Sequence, residues 1–566
     1  MKLIFRSYLA SLRERDELDA ILPDLLSELG YTVYSRPQRG TGQAGVDIAA
    51  VGPDEDGERK LFLFTVKRGD VTRESWNDGT PQSLRASLDA ILDNYVQNRV
   101  PKRYQSLKIV VCIVFGGDLQ EQVRSDVEGY TRRNSSDRIS FEEWNGDKLA
   151  GLLMRGVLRE EIMPKALRTR FQKAVAMVDE PEIAYEHFAL LVQELCQSAA
   201  NDKERTRTAR QIYIALWVLF VWARDVDNVE APYRASELVL LRIWDLLRRY
   251  IGKTRNAAGK AITAVLQYAI QLHLTIAEEM LHRKVLSHAG VSHGISMAIR
   301  ASTPADVNLK LFDILGRIAM TGMWVQWIHQ RLSDAEQKAK LQAQVAALAD
   351  AGFQLISANP ALFLPLQDNQ SIEIALFLLL VGAAGGNMYD AHAWLQGMTQ
   401  RLALTVLAHG RYPCIFSEYR DLIAHPRERT EEYRQEATAG STLVPLMAAF
   451  LSCLGDHECL AHLVALKNKE LQQCTLQLWI PDESSEDRLY VGDDEHGVAL
   501  CDLPLTADGK ELVETLDAAF KRVDSFEKLS AMSAGYWPIV LAACHHYRLP
   551  VPPQFWRPIV APPVTD

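Results

Sequence analysis

Two short apolar runs, residues 45–51 and 61–67, flank the turn-forming Pro53-Asp-Glu-Asp-Gly57. Apolar strings of this length around a turn cluster predict two strands folding back on each other. Asp47 falls in the middle of the first run and Lys67 ends the second. Upstream, Leu12, Leu18, Ile21, Leu22, Leu25, Leu26 and Leu29 recur at helical spacing and stop at Gly30. Pro23 interrupts that pattern, so the helix is expected to start near Leu22 or to be kinked. Residues 31–36 read as a short strand. Downstream, Leu84, Leu88, Ile91, Leu92 and Tyr95 form a helical stripe within residues 82–97, and residues 108–117 form an unbroken apolar run closed by glycines. Such a run predicts a central strand buried on both faces. Residues 139–144 alternate like another strand, and Asn145-Gly-Asp opens a further helix.

Beyond this point the pattern changes. Residues 198–208 are polar and charged and read as a linker. From about 209 to 424 helical stripes dominate, with starts at Ser302-Thr-Pro304 and at Ser333-Asp-Ala-Glu336, the second in capping-box form. Residues 425–436 form a second charged break. Residues 474–480 alternate like a strand, and 488–491 with 498–501 are expected to be strands around a Gly492 turn. The proline-rich stretch 550–563 predicts an extended tail. The fold class expected is therefore multidomain: an N-terminal α/β domain over 1–155, a helical connector over 156–208, an α-helical domain over 209–437, a small α+β module over 438–549 and a tail over 550–566.

Composition narrows the function classes. The 566 residues are 48% hydrophobic and 24% charged, as in ordinary globular proteins, with a net charge of −10. Residues 1–170 hold 26 basic and 26 acidic residues, so the whole acidic excess lies further on. A neutral N-terminal domain grips nucleic acid only through a local patch. Eight cysteines without a CxxC pair indicate reduced thiols and a cytoplasmic location. The apolar runs 212–223 and 374–386 are too short to span a bilayer, so no membrane role is expected. There is no Walker-type phosphate loop and no Gly-x-Ser-x-Gly elbow.

The candidate chemistry sits on the strand pair. An isolated acid and an isolated lysine are costly to bury on apolar strands, and they make sense when both converge on a phosphate and a divalent cation. Asp47, then residue x and Lys67 on the next strand, resembles the PD-(D/E)XK nuclease superfamily, and its Mrr-like branch in particular. The order helix, three strands, helix, strand, helix, strand is that superfamily's core order. The resemblance covers about the first 155 residues. It implies a restriction-endonuclease-like mixed sheet flanked by helices and Mg2+-dependent hydrolysis of phosphodiester bonds in DNA, with Mn2+ as a substitute ion and RNA as the other candidate substrate.

Carried residue by residue, Asp47 and the Val66 carbonyl would hold the metal, with Glu17 or Asp19 as the acid from the first helix. Lys67 would position water, and Thr65 stands where the superfamily has an acid or glutamine. The loop residues Gly42 and Gln43, together with Arg68, Arg73, Gln82 and Arg85, are the candidate nucleic-acid contacts; the bland alternative for Arg85 is an ion pair with Asp89 one helical turn on. The superfamily also implies a homo-oligomer and a bacterial restriction or anti-phage role triggered by a phage component or partner protein, with the helical part as regulator. The competing reading is a nuclease-like domain without activity that serves as a nucleic-acid-binding or assembly module; Thr65 is its main support. Cys453, His457, Cys459 and His462 contain zinc-type residues, but their spacing matches no common site, and core thiols are the preferred reading.

Overall fold

The computed structural model describes Leu9 and residues 18–35, 44–54, 56–156, 165–253, 255–385, 388–409, 413–425 and 430–560. The chain divides into two compact units, residues 1–239 with 255–269, and residues 240–254 with 270–566. The α/β domain expected over 1–155 lies wholly in the first unit, and the α+β module expected over 438–549 wholly in the second.

The first unit is built around one five-stranded mixed sheet. After helix α1 (Asp19–Glu28) come β1 (Thr32–Ser35), β2 (Ile48–Pro53) and β3 (Arg59–Lys67), then short α2 (Arg73–Trp76) and α3 (Leu84–Ala90), which runs on as a wider π-helical segment through Arg99. β4 (Ile109–Phe115), α4 (Glu121–Asn134), β5 (Ile139–Trp144) and α5 (Gly146–Gly156) complete it. The strands lie in the order β1-β2-β3-β4-β5; the first two pairings are antiparallel and the last two parallel. The antiparallel β2 and β3 are joined by a short turn after Pro53, whereas the parallel pairings require the helical crossovers that α2, α3 and α4 supply.

Alternation sorts the side chains. Ala49, Val51, Leu61, Leu63, Ile109, Val111, Ile113 and Phe115 bury one face against Leu84, Leu88, Ile91, Val123, Val127 and Tyr130. Phe62, Phe64, Val110, Cys112, Val114 and Trp144 are buried on the other face, where Phe64 meets Trp144 edge-on at 5.0 Å. Helices α1 and α5 contact each other and the strands on that side. β4 is buried along its whole length, which explains its unbroken apolar sequence. Pro23 sits inside α1, where it removes one helical N–H.

Helices Lys165–Ala176, Pro181–Gln197 and Asp202–Asp225 follow. The run expected to be a linker over 198–208 is a short turn only: the Asn201 side chain accepts the Glu204 N–H and Glu204 reciprocates, so a helix begins at Asp202.

The second unit is mainly helical. Pro304–Arg331 contacts Ala335–Ala358, Ser371–Ala383 and Pro538–Tyr547. The start expected at Ser333 is instead capped by Asp334, whose carboxylate accepts the Gln337 N–H at 2.8 Å. Residues 488–491 are not a strand: Ser485–Arg488 is a helical turn, and Val498–Leu500 pairs directly with Leu478–Ile480. The extended tail is also corrected. Pro553–Val560 is a helix, because Pro553 occupies a first position that needs no N–H donor and Trp556 is fully buried. No helix of the described residues is long and apolar enough to cross a membrane.

Candidate functional site

Asp47 lies just ahead of β2 rather than in the middle of a strand. The cause is a left-handed bend at Ala44 (φ 50°) and Gly45 (φ 78°). A Cβ on Gly45 would lie 2.1 Å from the Ser87 carbonyl oxygen, so only glycine lets this segment lie against α3. The Asp47 N–H donates to the Phe64 carbonyl at 2.9 Å, and the Val66 N–H donates to the Asp47 Oδ2 at 2.8 Å. The half-buried carboxylate is thereby fixed to β3 one residue before Lys67. Because the N–H and C=O of a strand residue point the same way, the Val66 carbonyl also faces the Asp47 side.

Strand alternation places Thr65 and Lys67 on the face that carries Leu61 and Leu63, while Asp47, ahead of β2, is held at the same end of β3 by its bond from the Val66 N–H. The Lys67 ammonium donates to the Gln82 carbonyl at 2.8 Å, immediately before Ser83, whose hydroxyl caps α3. Asp78, on the loop leading there, accepts the N–H and hydroxyl of Thr80, and these bonds with the Lys67 charge hold its carboxyl below the usual range. Sequence reasoning missed this loop. The Asn77-Asp-Gly-Thr-Pro turn chemistry was a signal for its shape but not for its approach to Lys67.

Thr65 is 1% exposed, and its hydroxyl has no hydrogen-bond partner. An unpaired buried hydroxyl costs about 1–3 kcal/mol, which marks the position as unusual. The oxygen donors at this end of the sheet are the Asp47 carboxylate, the Val66 carbonyl and the Thr65 hydroxyl. An all-oxygen set with a single carboxylate fits Mg2+, which retains several waters, better than a softer ion. Among the described residues no group of three or more His, Cys, Asp or Glu side chains comes together to hold a metal ion.

Glu17, Gly42 and Gln43 lie outside the described residues; Asp19 begins α1, and its side chain lies outside them too. Arg68, Arg73, Gln82 and Arg85 are all exposed. They belong to the segments that follow β3 at its Lys67 end. The Gln82 contact with Lys67 is made by its carbonyl, not its side chain. Arg85 does not pair with Asp89, whose carboxylate instead accepts the Tyr130 hydroxyl at 2.6 Å. Elsewhere, Cys459 is buried beside Asp456, which raises its thiol to about 12 together with burial, the larger cause. Asp456 in turn pairs with His392 at 2.7 Å.

Compared with family models, curated proteins and solved structures, the chain gives no match.

Proposed function

We propose that the chain is a metal-dependent endonuclease of the PD-(D/E)XK kind, hydrolysing phosphodiester bonds in DNA at the Lys67 end of its sheet. The observation that carries this reading is the Asp47 carboxylate anchored to the Val66 N–H at 2.8 Å, one residue before Lys67 at the end of β3. The element order and the mixed sheet support it.

Asp47 and the Val66 carbonyl would hold Mg2+, or Mn2+ in its place, with Glu17 or Asp19 of the first helix as the additional acid. When bound, the ion polarises a phosphoryl oxygen and lowers the pKa of its water. The chain's own residues do the rest. Lys67 donates to the Gln82 carbonyl, and rotation about its side chain would bring the ammonium onto a phosphate oxygen, where it offsets charge developing in the transition state. Arg68, Arg73 and Arg85 hold flanking phosphates as charge-assisted donors. Thr65 offers a hydroxyl where an acid would bring a second negative charge, so a single ion is the preferred chemistry. The helical second unit would govern when the sheet acts, as in a defence effector answering a phage or partner signal, and a homo-oligomer would allow both strands to be cut.

The second reading, an inactive module that binds nucleic acid, draws on the same Thr65, neutral and 99% removed from solvent. Conversion of supercoiled plasmid with Mg2+, and its loss with EDTA, separates the two. DNA binding without conversion under every metal condition favours the module.

A further inference from the structure

The opposite edge of the sheet carries a second feature. β3, β4 and β5 begin together there: Leu61 N–H donates to the Lys108 carbonyl and Ile109 N–H to the Arg138 carbonyl. The Arg138 guanidinium reaches the Gln105 carbonyl at 2.7 Å, tying the Lys102–Tyr104 turn to the same edge. Arg132 and Arg133 lie in the last turn of α4, six residues or more before β5 begins at Ile139. Lys102, Arg103, Arg132, Arg133 and Arg138 are all exposed, and among the described residues none of the five is ion-paired. Neighbouring Lys60 and Lys108, by contrast, are neutralised by Asp54 and Glu58. Glu128 and Asp137 are exposed acids near Arg132 and Arg138 in sequence, so in a chain of net charge −10 this is a local excess of positive charge, five cations against two acids.

We propose that this edge is a docking surface for the phosphate backbone of duplex nucleic acid, gripping substrate away from the Asp47–Lys67 end. Two arginines at the end of α4 also complement its helix dipole, but that accounts neither for Lys102 and Arg103 nor for Arg138. Four of the five cations are guanidinium groups, which match phosphate oxygens in pairs. No large exposed hydrophobic of the described residues lies within residues 99–138. The edge therefore lacks the apolar wedge of a membrane-surface site and the aromatic anchors of a protein interface. Duplex DNA, with one charge per about 1.7 Å of axis, is the partner that needs charge alone. The choice of partner rests on the phosphodiester reading; the charge argument does not.

The test is binding of the full chain to a short labelled duplex in EDTA, followed by anisotropy across a salt series. Lys102→Gln/Arg103→Gln/Arg132→Gln/Arg133→Gln should weaken binding uniformly across sequences. It should also flatten the dependence of log affinity on log salt by about three and a half, at roughly 0.9 for each phosphate no longer neutralised. Lys102→Gln/Arg103→Gln alone, outside any long helix, should give about half that change and serves if the fourfold variant does not fold. An unchanged slope in either folded variant overturns the proposal, as does loss of binding to anionic phospholipid vesicles with DNA binding intact. Because no cleavage is measured, a flattened slope in a chain that never nicks DNA defeats the hydrolase reading and leaves this surface standing.

Discussion

Thr65 decides more than its size suggests. Its hydroxyl is buried without a partner at the position where the resemblance expects an acid or glutamine. Thr65→Val removes the unpaired group at nearly constant volume and should stabilise the protein by about 1 kcal/mol, read from urea unfolding. Gly45→Ala should do the reverse. A side chain at φ 78° that meets the Ser87 carbonyl at 2.1 Å is strained and crowded, and a loss of about 1–3 kcal/mol is expected in the same measurement. Lys67 ends β3 as its apolar run indicated, whereas Asp47 lies ahead of β2, because the left-handed bend at Ala44 and Gly45 leaves no mark in the hydrophobic pattern. The contact between Asp89 and Tyr130 was not legible in the sequence either, since a bond across 41 residues does not show in local spacing. It displaced the local Arg85–Asp89 pair because a partly buried phenol needs an acceptor.

Elements were readable where one periodicity ruled and unreadable where capping chemistry did. β4 and β5 follow from an apolar run and an alternation; the helix beginning at Asp202 depends on Asn201 and Glu204 closing a box that its polar composition disguised. In helix Pro304–Arg331, Asp313 and Arg317 form a two-pronged pair at 2.9 and 2.8 Å. Burial works against the Asp313 charge, but Arg317 and Lys310 outweigh it and hold the carboxyl well below its usual range. Arg317→Met leaves Asp313 poorly compensated. It should cost about 2–3 kcal/mol, less than the ~3–5 of a fully buried pair because Asp313 keeps some solvent contact. Thermal denaturation of the variant checks this. His496, behind the Leu478–Ile480 hairpin, is held below 6.5 by burial, against the pull of Asp482, Asp493 and Asp494 and with Arg488 beside it. A histidine kept neutral in the fold contributes stability above the unfolded pKa that is lost as pH falls through the lowered folded value. The wild type should therefore weaken from about pH 6.5 downward, and His496→Gln should flatten that part of the curve.

At the scale of the whole molecule, charge is divided along the chain. The first 170 residues balance 26 basic against 26 acidic groups, and the −10 lies beyond them. On the proposed reading, substrate attraction would come from arrangement within the sheet domain rather than from net charge, and DNA binding would carry a smaller salt dependence than a basic domain gives. The mixed sheet was legible as a whole because its strands and crossovers succeed one another in chain order. The helical remainder was legible only as helices, since amphipathic stripes say that a helix is covered and not by which neighbour. The central claim is that one aspartate and one lysine at a single sheet edge hydrolyse phosphodiesters. It is tested most directly by plasmid nicking in Mg2+ with the full chain, Asp47→Asn and Lys67→Ala, each first shown to fold. The account predicts that either substitution lowers the rate by about 100-fold or more while leaving DNA affinity within about threefold. Equal nicking by all three proteins would contradict it.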